Sequence, residues 1–227
     1  MNRKIKILLS VMIVSLSALF VPLMGQSINN KIDSATVMIV ETEPQLYPQQ
    51  NIMICVEEVK KDYETVVEEM NMKMEEIDSI SDIKEWFLSY KTIVEEYENI
   101  IDPPETIYDY FSENELDLLF RVVQAEIGDE YSFTQKVNVA SVIFNRLNHE
   151  KFPNTISDIL IPSQFATISD GRYKKVEVSE ATILACEYAF EIADTTDGCL
   201  FFDSNNKLKY EFIYNDGAHN FYKIKGE

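Results

Sequence analysis

Three hydrophobic patterns follow one another along the chain. The first is continuous. Arg3, Lys4 and Lys6 precede an uncharged run from Ile7 to Met24, ILLSVMIVSLSALFVPLM. Basic residues ahead of an apolar stretch of this length predict a signal peptide or a membrane anchor over residues 1–26, with the charges held on the cytoplasmic side. Gly25 is a small residue at the cleavage point, and the run is about long enough to span a bilayer if it is kept. The chain is therefore expected to be exported and to work outside the cytoplasm.

The second pattern steps by three and four. Residues 27–55 are polar and mixed, with Pro44 and Pro48, and read as a linker. From residue 56 to 102 the period becomes helical. Val59, Tyr63, Val66, Met70, Met74 and Ile77 form one series. After a break at Asp78–Ser81 comes a second, Ile83, Trp86, Phe87, Tyr90, Ile93, Val94, Tyr97 and Ile101. Two amphipathic helices joined by a short polar turn predict a helical hairpin, closed by Pro103 and Pro104.

The third pattern, over residues 103–227, is that of a domain with its own core. Ser112 and Glu115 make an S-x-x-E capping box that opens a helix with Leu116, Leu119, Phe120, Val122 and Val123 on its apolar face. That helix runs into Ala125-Glu126-Ile127 and stops at Gly128. The segment DEYSFT reads as a loop. Val137, Val139, Ala140, Val142, Ile143 and Phe144 predict a helix buried on most sides, ending near Asn145-Arg146-Leu147. A turn at Phe152–Ile156 leads into a short helix over Ile156–Ile161, and Glu180–Ile192 is another amphipathic helix. The period then changes to two. Leu200–Phe202 and Tyr210–Tyr214 read as strands, with a hairpin turn at Asn215-Asp216-Gly217 before His219–Tyr222. The fold class is α+β, mainly α, with a small β element at the end.

Composition narrows the chemistry. The 227 residues carry 39 acidic and 20 basic side chains, a net charge of −19. Nucleic acid is excluded as an expected partner, because a polyanion needs clustered Lys and Arg. Of that charge, −12 falls between residues 57 and 112, which hold 17 acidic and 5 basic side chains. This reads as a solvated helix surface, a spacer or an arm that docks a partner protein or a second copy. Two histidines and three cysteines without CxxC spacing give no metal site and no cofactor. Cys55, Cys186 and Cys199 allow at most one disulfide, Cys186–Cys199 by proximity, and reduced thiols are expected.

One carboxylate stands out. Glu126 ends an otherwise apolar helix directly before a glycine and a loop. A carboxyl where such a helix meets a cleft is shielded from water, and shielding favours the protonated form that a general acid must present. Asp129 and Glu130 are near enough in sequence to supply a second carboxylate, though an acidic loop is normally solvated.

The segments ELDLLFRVVQAEIGDE, VNVASVIFNRL, FPNTISDIL, SQF and HNFY, in that order over about residues 113–223, resemble the SleB-type cell wall hydrolase family, the spore-cortex-lytic enzymes and their relatives. The resemblance implies a lysozyme-like helical catalytic domain and puts the family's catalytic glutamate on Glu126. It also implies cleavage of peptidoglycan glycan strands between N-acetylmuramic acid and N-acetylglucosamine. Glu126 would protonate the glycosidic oxygen and then take a proton from the muramic C6 hydroxyl, leaving a 1,6-anhydro end. Attack by water would instead give a reducing end, as in a muramidase or glucosaminidase, and would need a second carboxylate.

Among the other motif residues, Asn145 and Arg146 read as caps or ion-pair partners that hold the Glu126 loop. Gln164 suits sugar hydroxyls and acetamides, and Phe165 suits either a sugar face or the core. His219 and Tyr222 are candidates for the cleft wall. The upstream hairpin stands where relatives carry peptidoglycan-binding repeats, so both spore cortex and vegetative wall remain as substrates. The rival from another class is a non-catalytic wall or coat protein that holds glycan in the same cleft.

Overall fold

In the computed structural model, residues 65–98 and 104–226 are described. The segment read as a signal or anchor, the linker, residues 56–64 and residues 99–103 lie outside them, as does Cys55. Among the described residues no helix is long and apolar enough to cross a membrane. The chain divides into two compact units, with the boundary in sequence after Pro104.

The first unit holds helix α1, described over 65–77, and α2, Ile83–Tyr97. Asp82 caps α2 by accepting from the backbone N–H groups of Lys84 and Glu85 at 3.0 and 2.9 Å, a cap worth about 1 kcal/mol. The buried positions keep the expected period. Met70, Met74 and Ile77 face inward from α1, and Phe87, Tyr90, Ile93 and Tyr97 from α2. Lys73 of α1 pairs with Glu96 and lies over the Tyr97 ring, in the last turn of α2.

The second unit is mainly helical. Its elements are α3 (Ile107–Tyr110), α4 (Glu113–Glu126), α5 (Phe133–Asn148), α6 (Ile156–Ile159), α7 (Ala166–Ser169), a 3-10 turn (Arg172–Lys174) and α8 (Glu180–Glu191). Three strands follow: β1 (Phe201–Asp203), β2 (Glu211–Asn215) and β3 (Asn220–Lys223). They form an antiparallel sheet in the order β1-β3-β2.

Helix α5 is the centre. Every residue from Lys136 to Phe144 is buried. It starts earlier than the apolar run suggests, because Ser132 and Gln135 form a capping box that the loop reading passed over. Ser112 and Glu115 cap α4 in the expected way. The sheet covers one side of α5. Phe221 packs with Val142 and Cys199 on that face, and its neighbour Tyr222 turns to the other face with Leu200 and Phe201. This is the alternation of side chains along a strand. Cys186 and Cys199 are both free and buried.

Candidate active site

Glu126 is the last residue of α4, and its side chain is half-buried. Ile127 follows as the C-cap, its N–H returning to the carbonyl of Val123 at 2.9 Å. The side-chain partner of Glu126 comes from α7. The hydroxyl of Thr167, which is 0% exposed, donates to Glu126 Oε1 at 2.7 Å. Sequence reasoning missed Thr167 because a four-residue helix is too short to show a period.

The loop that leaves Glu126 is fixed from below. Lys136, 2% exposed, sends its ammonium to the carbonyl of Ile127 at 3.1 Å, to Thr182 Oγ1 at 2.9 Å and to Asp129 Oδ1 at 3.1 Å. Three acceptors meet three N–H bonds, which is what makes a buried lysine tolerable. The network continues outward. Thr182 donates to Gln124 Oε1 at 2.6 Å, the backbone N–H of Ser179 donates to the same oxygen at 3.1 Å, and the Ser179 hydroxyl donates to Asp129 at 2.7 Å. The Ser179 hydroxyl first, and Lys136 second, hold the Asp129 carboxyl below the usual carboxylate range. Asp129 stays exposed on its loop, as expected, while its carboxyl also binds Ser179 and Lys136. The Glu130 carboxyl lies back over Gly128, where an added Cβ would collide with it.

Arg146 is enclosed by rings. Its guanidinium carbon sits 5.4 Å from the Phe152 ring, 5.2 Å from Phe165 and 5.3 Å from Phe201. Nε donates to the carbonyl of Leu200 at 2.6 Å, and Nη1 is buried without a hydrogen-bond partner. Burial pulls this group down to about 10, while Tyr210 and Glu126 attract it the other way. Asn145 beside it donates to Thr196 Oγ1 and the Cys199 carbonyl, both at 3.1 Å. The Asn-Arg pair therefore holds the segment entering β1, and Lys136 and Ser179 hold the Glu126 loop instead.

The remaining motif residues separate. His219 packs edge-on against Phe202 at 5.0 Å, with Nδ1 buried and unpartnered. Burial holds its imidazole below the ordinary value against the attraction of Asp216, Glu126 and Asp203, which puts it in the same neighbourhood as Glu126. Phe165 is in the core, between Arg146 and Phe202. Tyr222 is buried in the sheet, its hydroxyl donating to Asp203 at 2.8 Å. Gln164 is exposed just before α7. Among the described residues no group of three or more His, Cys, Asp or Glu side chains is arranged to hold a metal ion.

Residues 131–226 match the cell wall hydrolase family. A stretch of 63 residues is 36% identical to the spore cortex-lytic enzymes of Oceanobacillus iheyensis and Bacillus subtilis, which is 27% of this chain and 22% and 20% of theirs. Residues 131–226 of the C-terminal unit are thus similar to a cell wall hydrolase domain. The chain spans about a fifth of the length of those curated relatives. Among solved structures, the catalytic domain of the Bacillus cereus SleB protein is 27% identical and covers 50% of this chain and 92% of its own, with a TM-score of 0.45. The catalytic domain of the germination-specific lytic transglycosylase SleB from Bacillus anthracis is 25% identical and covers 52% of this chain and 100% of its own, with a TM-score of 0.46. The family match opens at residue 131, so Glu126 and α4 stand immediately ahead of the matched residues.

Proposed function

We propose that the chain cleaves the glycan strands of peptidoglycan between N-acetylmuramic acid and N-acetylglucosamine, as a lytic transglycosylase with Glu126 as its acid and base. Protonated Glu126 gives its proton to the glycosidic oxygen as the bond from that oxygen to muramic C1 breaks. The leaving sugar departs as an alcohol, and positive charge spreads over C1 and the ring oxygen. The carboxylate left behind takes the proton of the muramic C6 hydroxyl while O6 bonds to C1. Glu126 ends as it began, and no water is consumed.

One observation carries this reading over simple hydrolysis. Three of the carboxylates near the site are engaged in hydrogen bonds, and a fourth, Glu130, lies back over Gly128. Asp129 is bound by Ser179 and Lys136. Asp216 accepts from Asn138 and from the N–H groups of Ala218 and His219. Asp203 accepts from the backbone of residues 206–208 and from Tyr222. A hydrolytic mechanism needs a second carboxylate to activate water or to attack, whereas a nucleophile carried by the substrate needs none.

The test is digestion of purified peptidoglycan by the full chain in water enriched in oxygen-18, with mass spectrometry of the fragments and Glu126→Gln as control. Anhydro-muramic ends free of the label, absent with the variant, are expected. Labelled reducing ends would make the chain a hydrolase. Fragments that persist with Glu126→Gln would remove Glu126 from the chemistry.

A further inference from the structure

The two oxygens of the Glu126 carboxyl are not equivalent. Oε1 accepts the Thr167 hydroxyl at 2.7 Å, and that hydroxyl is wholly buried. A hydroxyl has one proton to donate, and one shut away from water keeps whichever acceptor it has, since leaving it unpaired is costly. Oε1 can accept this bond whether the carboxyl is ionised or carries a proton on the other oxygen. The contact therefore need not break at any stage of a proton cycle.

Thr167 is itself held in place. The chain enters α7 through turns in which the N–H groups of Gln164 and Phe165 return to the carbonyl of Ile161 at 3.0 and 3.1 Å. It closes α7 by bonds from Ile168 and Ser169 to the carbonyl of Phe165 at 3.2 and 3.1 Å. Phe165, the N-cap, offers no side-chain hydrogen bond and is fixed instead by the Arg146 guanidinium at 5.2 Å and the Phe202 ring at 6.2 Å. The hydroxyl is thus presented to Glu126 from a short helix anchored in an aromatic core, while Lys136 fixes the backbone carbonyl that follows Glu126.

We propose that Thr167 is the positioning residue that gives the two Glu126 oxygens separate tasks. Oε1 is the fixed pivot, and Oε2 is the oxygen that gives up and recovers the proton. The proposal rests on the reading of Glu126 as acid and base. It adds an assignment of the reacting atom and a source for its orientation. In substrate terms, the glycosidic oxygen and then the C6 hydroxyl must approach the Oε2 side of the carboxyl.

Two nearly isosteric changes test it. Thr167→Val keeps the shape and removes the hydroxyl, and Thr167→Ser keeps the hydroxyl and removes a methyl group. A packing role makes the serine variant the worse of the two, and a positioning role makes the valine variant worse. With full-length chains labelled with carbon-13 at glutamate carboxyls, the Glu126 signal is assigned by its absence in Glu126→Gln. At fixed pH that signal is expected to move in Thr167→Val and to stay in Thr167→Ser. On peptidoglycan, Thr167→Val is expected to lose about 10- to 100-fold in kcat with little change in KM, the range for a misplaced catalytic group, and Thr167→Ser to keep most of its rate. A Glu126 signal unmoved by the valine change, or a serine variant as impaired as the valine one, overturns the assignment. The spectroscopic arm reads the contact even in a chain that proves inert on peptidoglycan, so failure of the functional reading is seen separately.

Discussion

The ammonium of Lys136 and the carbonyl of Ile127 meet at 3.1 Å inside the helical unit, so that the residue next to Glu126 is fastened to the middle of the most buried helix. A helix leaves its last carbonyls without partners. Here one residue from α5 satisfies the carbonyl of the C-cap of α4 and, through Asp129, the loop beyond it.

Replacing Lys136 by Met removes that fastening while keeping the length of the side chain. It leaves the Ile127 carbonyl and the Thr182 hydroxyl oxygen short of a donor in a dry setting. The expected loss of stability is about 2–4 kcal/mol, the range for breaking a buried charged hydrogen-bond network. Urea unfolding of Lys136→Met against the parent chain measures it, and a loss within error of zero would mean that Lys136 is not fastening the loop.

Asp129 supplies a pH dependence at the acid end. Its carboxyl is held below the usual range by Ser179 and Lys136. A group whose native value is depressed contributes stability above its unfolded value, about 3.9 for Asp, and loses it as the pH falls through the native value. The unit is therefore expected to lose stability below about pH 4, and Asp129→Asn to flatten that part of the curve. Asp129 is 58% exposed at its side chain, so the change is modest. Melting temperatures of both chains between pH 2 and 5, about the carboxylate range, give the comparison.

His219 acts higher up the scale. Burial lowers it, with Asp216, Glu126 and Asp203 opposing. Below about pH 6.5, where an unfolded histidine takes up a proton, the native chain resists doing so and stability falls. Between neutral pH and 5.5, His219→Phe is expected to lose less stability than the parent, given that a ring at this place still meets Phe202. A parent chain with a histidine signal for residue 219 that titrates at or above the ordinary value would contradict this.

Arg146 is the residue whose conservative replacement is expected to do most harm. Lysine cannot present a planar cation to three rings and an Nε–H to Leu200 at once. Arg146→Lys is expected to cost about 2–4 kcal/mol, as for other disrupted buried cations. It should also lower the rate on peptidoglycan, because Phe165 carries α7. Thermal melts and fragment release on the same preparation separate the two effects.

Much of this was legible in the sequence where a pattern repeats. The cap at Ser112, the apolar run of α5 and the turn at Asn215–Gly217 each rest on several residues that agree, and each lies where expected. Glu126 stands out in the sequence because a carboxylate closes the apolar end of its helix. The scaffold around it was hidden for the opposite reason. Thr167 is one polar residue in a helix of four, and Lys136 is one cation that a helix-surface reading assigns to solvent. A signal for Lys136 was present, since it directly precedes a stretch with no exposed position. Phe165 and Tyr222 show the limit for aromatic rings, which suit a sugar face and a core equally by composition. Only the packing around Arg146 and in the sheet decides between the two uses.

The rings around Arg146 come from three separate stretches: Phe152 from the turn after α5, Phe165 from the entry to α7 and Phe201 from β1. Phe152 is near Arg146 in sequence, but Phe201 must be brought to the guanidinium from far along the chain, and long-range contacts of that kind are the slow part of folding. The cage therefore assembles late, after α4 and α5 have formed their local turns. A nascent or clipped chain that ends before β1 has Glu126 on a helix but lacks the last wall that holds α7 against it. The geometry around Glu126 is thus expected to arrive together with the final cooperative step, and not as a property of any fragment.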